Sequence, residues 1–203
     1  MISLPGVRVG AGGVAIGAVD VADDAGSAGS QAQPPTQIDI FVDYMCPYCR
    51  RFERDNDAAI QDLVDRGVTA LVTHPVAILD RMSAGTMYST RAAAAAYAVA
   101  QGAPERFGAF NARLFADQPR EGGPGLGDAE LANLAEQVGV PKKVGLTFAD
   151  DQFVQAATSA TTAALDAGLQ GTPTVLLSSH HHGTFQWDGA RPVAETLLAL
   201  AAR

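Results

Sequence analysis

The chain has 203 residues, 14 lysines and arginines against 22 aspartates and glutamates, a net charge of −8, and an apolar share of 47 %. This length suits one domain, or one domain with an insertion, and buries a core without disulfide staples. The acidic balance without a basic stripe argues against nucleic-acid binding, and no apolar run approaches the roughly 18 residues of a membrane span.

In chain order, residues 4–16 read as a β-hairpin, with Val7 and Val9 alternating, "GAGG" as the turn, and Val14 and Ile16 returning. Residues 22–37 are a polar Gly/Ser/Pro linker. "IDIFVDY" (38–44) is a strand in which Ile38, Ile40 and Val42 alternate with Asp39, Phe41 and Asp43. A helix is expected over roughly 47–66, with Phe52, Ala59, Ile60, Leu63 and Val64 on one face and Gly67 as its C-cap. A second strand lies within 68–79 and ends near Pro75. The opening is therefore a βαβ unit with a C-x-x-C at the strand-to-helix turn.

From 86 to 167 the pattern is helical. Ser89 or Thr90 is the expected cap of the alanine-rich "STRAAAAAYAVAQG", which stops at Gly102. Pro104 opens a helix with Phe107, Phe110, Leu114 and Phe115 on one face, and Asp128 caps another, with Leu131, Leu134, Ala135 and Val138 inward. A last helix runs to Gly168. "GTPTVLLSS" (171–179) returns to strand, "TFQWDG" (184–189) pairs with it, and 191–203 is a closing helix. The domain division expected is 1–37 hairpin and linker, 38–85 first α/β half, 86–167 helical insertion, and 168–203 second half.

Cys46 and Cys49 in "CPYC" are the two cysteines of the chain. So short a loop removes little unfolded-state entropy, which argues against a stabilising staple. A cysteine at a helix start meets backbone N–H groups that lack internal partners and the positive end of the helix dipole. Both stabilise a thiolate, so Cys46 is expected below the free value of about 8.5. Cys49, a turn further in, stays a buried thiol. Pro47 suits a first helical turn, and the exposed charges of Arg50 and Arg51 add little through solvent. The chemistry is thiol–disulfide exchange: Cys46 forms the mixed disulfide and Cys49 resolves it.

Strand, C-x-x-C, helix and strand, followed by "GTPT", a hairpin and a helix, resemble the thioredoxin fold. With the helical insertion, and with "DYMCPYCRRFE", "HPVAILD", "YSTRAA", "LFADQPRE" and "GTPTV", residues 38–203 resemble the DsbA-like thiol oxidoreductases of the bacterial extracytoplasmic branch. The resemblance implies an α/β thioredoxin fold (βαβ…ββα) with an inserted helical domain, extended here by an N-terminal β-hairpin. It implies Cys46 and Cys49 as catalytic residues, Pro47 and Tyr48 as tuning residues, a cis-proline at Pro173, and Thr172 offering backbone bonds to substrate. It implies no cofactor beyond the redox-active Cys46–Cys49 disulfide, unfolded or cysteine-containing exported proteins as substrates, a membrane partner for reoxidation, and a monomer. Two departures stand out. The buried acid often found six residues before the first cysteine is replaced by Ile40. Asp43, the nearest acid, either takes over through water or lies on the surface, and the surface is the reading preferred. Tyr48 stands where DsbA has histidine.

The opening "MISLPGVRVGAGG" lacks the charged start and unbroken apolar core of a secretory signal. Either the protein is a cytoplasmic reductase of thioredoxin type, or a leader or anchor precedes this stretch in an exported protein. A rival from another class is a copper-binding module using Cys46, Cys49 and a histidine, since thiolates and imidazole suit Cu(I). His180, His181 and His182 are read as a solvated turn, because neighbours on a strand point to opposite sides. His74, at a strand end, either lies near the cysteines or is a structural histidine, and the structural reading is preferred; Trp187 is read as packing, the pair Lys142 and Lys143 as a solvated helix start, and Asn111 has no assigned role.

Overall fold

The computed structural model describes residues 3–10, 13–20, 36–179 and 183–202. They include one six-stranded sheet. Strands β1 (Ser3–Gly10) and β2 (Gly13–Asp20) are the expected hairpin, longer than its alternation suggested. Its turn at 11–12, the stretch 21–35 and His180–His182 lie outside the described residues. The hairpin is attached through β1, which pairs antiparallel with β4 (Thr69–Pro75), Val7 opposite Thr73. Strand β3 (Thr36–Val42) begins two residues before the expected position and lies parallel to β4, Ile40 opposite Thr73. On its other side β3 runs antiparallel to β5 (Thr174–Ser179), which pairs with β6 (Gly183–Gln186).

Helix α1 (Pro47–Asp65) crosses from β3 to β4, and Cys49, Phe52, Ile60, Leu63 and Val64 are its buried residues. Ala59, expected on that face, is exposed. The chain then forms α2 (Tyr88–Gly102), α3 (Phe107–Ala116), α4 (Asp128–Gln137), the single turn α5 (Lys142–Gly145) and α6 (Asp151–Asp166) before β5, and α7 (Val193–Ala201) closes it. The order is the βαβ, helices, ββα expected.

Both faces of the sheet are covered. Ile38, Ile40 and Val42 enter the main core with Phe52, Ile60 and Leu63 of α1 and Leu197 of α7. On the opposite face, Phe41 packs with Val76 and with Ala164 of α6. A central strand in this position has no solvent side, so Asp39 is buried too, held 2.8 Å from His74, which stacks on Phe41. His74 is thus a buried structural histidine, as expected. Trp187 meets Phe52 edge-on and donates its indole N–H to the Arg191 carbonyl. Lys142 and Lys143 are exposed at the start of α5.

Helix α2 is the centre of the inserted helices. Its alanine run, Ala92–Ala96, is wholly buried, as befits a helix apolar on all sides. Small side chains let neighbours approach closely: at Gly102, Val144 already occupies the place of a side chain. Two caps differ from expectation. Helix α2 begins at Tyr88 and its cap is Met87, two residues before Ser89 and in the left-handed region (φ 55°). Ser89 and Thr90 therefore lie inside the helix and donate their hydroxyls to Asp43 and Asp80. Helix α4 is capped at Gly127, whose N–H is accepted by Glu130, and Asp128 instead pairs with Arg91 at 2.8 Å.

Candidate active site

Where β3 leaves the sheet, Asp43, Tyr44 and Met45 turn the chain, with the Cys46 N–H bonded to the Asp43 carbonyl at 2.9 Å. Cys46 is the N-cap of α1, still extended (φ −76°, ψ 116°), and Pro47 is the first helical residue, where its missing N–H costs nothing. Tyr48 projects outward, 70 % exposed, while Cys49 one turn in is 1 % exposed. Both thiols are free.

The far side of the site is built by the segment before β5. The Thr172–Pro173 peptide bond is cis, and the Thr172 carbonyl accepts the Cys46 thiol at 3.1 Å. The structure therefore brings Cys46, Cys49, Thr172 and Pro173 together, with Pro47 and Tyr48 at the exposed rim.

The two sulfurs have opposite electrostatics. A hydrogen bond from the Cys49 thiol is the largest influence on Cys46 and pulls its pKa down to about 6 against the cost of burial. The Thr172 side chain and the N–H groups of Cys49 and Tyr48 act in the same direction. The Tyr48 N–H is one of the donors a helix start leaves without an internal partner, while the Cys49 N–H also donates to the Cys46 carbonyl at 3.1 Å. Burial, and then the neighbouring Cys46 sulfur, push Cys49 well above its ordinary value.

Asp43 corrects the surface reading: it is fully buried. One carboxylate oxygen accepts the Met45 N–H at 2.8 Å and the Ser89 hydroxyl at 2.7 Å, and the other accepts the Leu79 N–H at 2.9 Å. Asp43 thus ties the cysteine turn to the segment after β4 and to α2. Burial raises its pKa to about 6, against the lowering effect of these hydrogen bonds. Ile40 is a core residue, 5 % exposed, and lines a cavity of about 40 Å³ with Val42, Glu53 and Asn111. Glu53 carries no motif in the sequence, although it shares the helix face of Cys49 at i, i+4. Burial and then the charge of Asp57 push it up to about 7. Asn111 gains a role here. It accepts the Tyr44 hydroxyl at 2.9 Å and donates to Glu53 at 2.7 Å.

Among the described residues no group of three His, Cys, Asp or Glu side chains is arranged to hold a metal ion. No described helix is long and apolar enough to cross a membrane.

A family model described as Thioredoxin matches residues 27–191. The oxidised structure of DsbA from Mycobacterium tuberculosis is similar with a TM-score of 0.76 and 30 % identity, over 98 % of this chain and 93 % of that one. The reduced form of the disulfide bond oxidoreductase DsbG from the same organism has a TM-score of 0.70 and 28 % identity, over 98 % of this chain and 94 % of that one. The serine/threonine-protein kinase PknE of Mycobacterium tuberculosis is 36 % identical over 167 residues, which is 78 % of this chain and 28 % of the kinase. The chain thus spans little more than a quarter of the length of the curated relatives it matches.

Proposed function

This chain belongs to the thioredoxin family, among its DsbA-like thiol–disulfide oxidoreductases, and we propose that it works outside the cytoplasm as an oxidase of exported proteins. The observation that carries this reading is the unequal placing of the two sulfurs: Cys46 caps the start of α1 against the Thr172 carbonyl, and Cys49 is buried one turn further in, so that Cys46 is pulled down to about 6 and Cys49 is raised. A stabilised Cys46 thiolate favours the dithiol over the disulfide, and a pair that prefers to be reduced is an oxidant of other thiols.

In the proposed cycle the resting pair is the Cys46–Cys49 disulfide. A substrate thiolate attacks the Cys46 sulfur, the Cys46–Cys49 bond breaks, and Cys49 leaves with the electron pair and takes up a proton. A second substrate thiolate then attacks its own chain's sulfur in the mixed disulfide. Cys46 departs as the thiolate its surroundings stabilise. The substrate has lost two electrons to form a disulfide, and the enzyme holds them as a dithiol. A membrane redox partner accepts them and restores the disulfide. Thr172 and Pro173, against the Cys46 sulfur, are the proposed backbone wall for the substrate, and Pro47 and exposed Tyr48 form its rim.

The test is transfer itself. The oxidised chain is mixed with a reduced, unfolded protein rich in cysteine. The expected result is substrate disulfides formed with matching loss of the Cys46–Cys49 bond. With a substrate that carries a single cysteine, Cys49→Ala, first converted to a mixed disulfide of Cys46 with a small thiol, is expected to pass Cys46 onto substrate as a trapped covalent adduct, because neither Cys49 nor a second substrate thiol is there to resolve it, and Cys46→Ser to give neither product. Transfer in the reverse sense only would replace this reading with a thioredoxin-type reductase.

A further inference from the structure

The inserted helices end three polar side chains on the cysteine segment. Ser89 of α2 donates to Asp43, and Asn111 of α3 links Tyr44 to Glu53. The third is Gln118, in the "LFADQPRE" stretch just past the end of α3. Its carboxamide nitrogen donates to the Tyr44 carbonyl at 3.1 Å and to the Cys46 carbonyl at 2.9 Å. These partners are 74 and 72 positions away in the chain.

The two carbonyls flank Met45 and Cys46, so a single planar group with two hydrogens spans the turn that delivers the nucleophile. The Cys46 carbonyl is also the first acceptor of α1, taking the N–H groups of Cys49 at 3.1 Å and Arg50 at 3.2 Å. Its orientation and that of the first helical N–H groups are set together. Were the Cys46 carbonyl free to turn toward solvent, the N–H groups of Cys49 and Arg50 would lose their acceptor, and the first turn of α1 would no longer be held against the Cys46 sulfur. Gln118 carries no charge, so it acts on the sulfur only through this geometry.

We propose that Gln118 is a positioning residue for the dithiol, holding the carbonyls of Tyr44 and Cys46 so that the first turn of α1 keeps its place against the Cys46 sulfur. The consequence for catalysis rests on the exchange reading above. The helical insertion thereby becomes a working part of the redox site. Removal of one such hydrogen-bonding group shifts an equilibrium by a modest factor, because a net hydrogen bond is a small term.

The test uses the reduced full chain with Gln118→Met, which keeps the bulk of the side chain without its donors, and with Gln118→Ala. Thiolate absorbance against pH, the rate with an aromatic disulfide, and the melting temperature are measured for each. The expected result in both variants is a Cys46 midpoint raised by roughly half a unit to one unit, and a rate at pH 5 lowered roughly threefold to tenfold. An unmoved midpoint, with or without a lower melting temperature, overturns the proposal and leaves Gln118 a loop fastener. Failure of both variants to fold also counts against it, since a positioning role leaves the core intact. A native chain with a midpoint near the free value of about 8.5 and no exchange would instead sink the functional reading itself.

Discussion

Replacing Asp43 by asparagine removes a carboxyl group that folding takes out of water. In the folded chain its pKa lies at about 6 against an ordinary value of 3.8, burial being the main cause. A gap of about two pH units corresponds to roughly 3 kcal/mol. The sign follows from proton binding: the folded state holds this proton more tightly than the unfolded one. Stability from this group is therefore fully present below pH 3.8 and is lost as the pH rises to about 6 and beyond. The asparagine side chain has no such titration. It does turn an amide N–H toward the Leu79 N–H, which Asp43 accepts at 2.9 Å, and leaving that donor unpaired costs roughly 1–3 kcal/mol. Asp43→Asn is thus less stable than the native chain at pH 4, and the difference shrinks by roughly 2 kcal/mol between pH 4 and pH 7. The assay is urea unfolding across this range, with both chains in the disulfide form so that neither sulfur titrates. Glu53 contributes equally to both curves and cancels. A stability difference that does not change with pH would refute the reasoning, because it would mean that Asp43 keeps an ordinary carboxyl pKa and an open path to water.

Cys46 has the opposite linkage: its pKa is lowered from 9.0 to about 6, so its thiolate stabilises the reduced fold above pH 9, and that contribution is lost as the pH falls through about 6. Reduced and oxidised chains compared by urea unfolding at pH 5 and pH 9 should show the reduced chain gaining roughly 3 kcal/mol relative to the oxidised one, the raised Cys49 subtracting a little at pH 9. Gly125→Ala should lower stability by more than about 2 kcal/mol, because φ is +72° there and a new methyl group would press into the Tyr88 ring. A thermal melt close to that of the native chain would show that the Tyr88 packing yields.

Residues acting through local physics were legible in the sequence. The alternation of Ile38, Ile40 and Val42, the proline after Cys46 and the C-x-x-C spacing all lie within a dozen positions, and they placed the site at the end of β3. Residues whose partners are distant were not. Asp43 reads as a surface acid because two of the groups that donate to it, Leu79 and Ser89, lie 36 and 46 positions away. Ser89 and Thr90 look like helix caps by composition, yet tertiary acceptors claimed their hydroxyls first. Asn111 and Gln118 carry no local signal, since a lone amide side chain beside phenylalanines and leucines reads as neither core nor surface. Strand alternation failed for Asp39 for another reason. A strand covered on both faces buries both sets of side chains.

The central claim is that the surroundings of Cys46 make the pair an oxidant, and the reduction potential of Cys46–Cys49 tests it most directly. Equilibration of the full chain with glutathione buffers should give a value toward about −120 mV, in the range of a strong dithiol oxidant. A value near about −270 mV, that of thioredoxin, would contradict it.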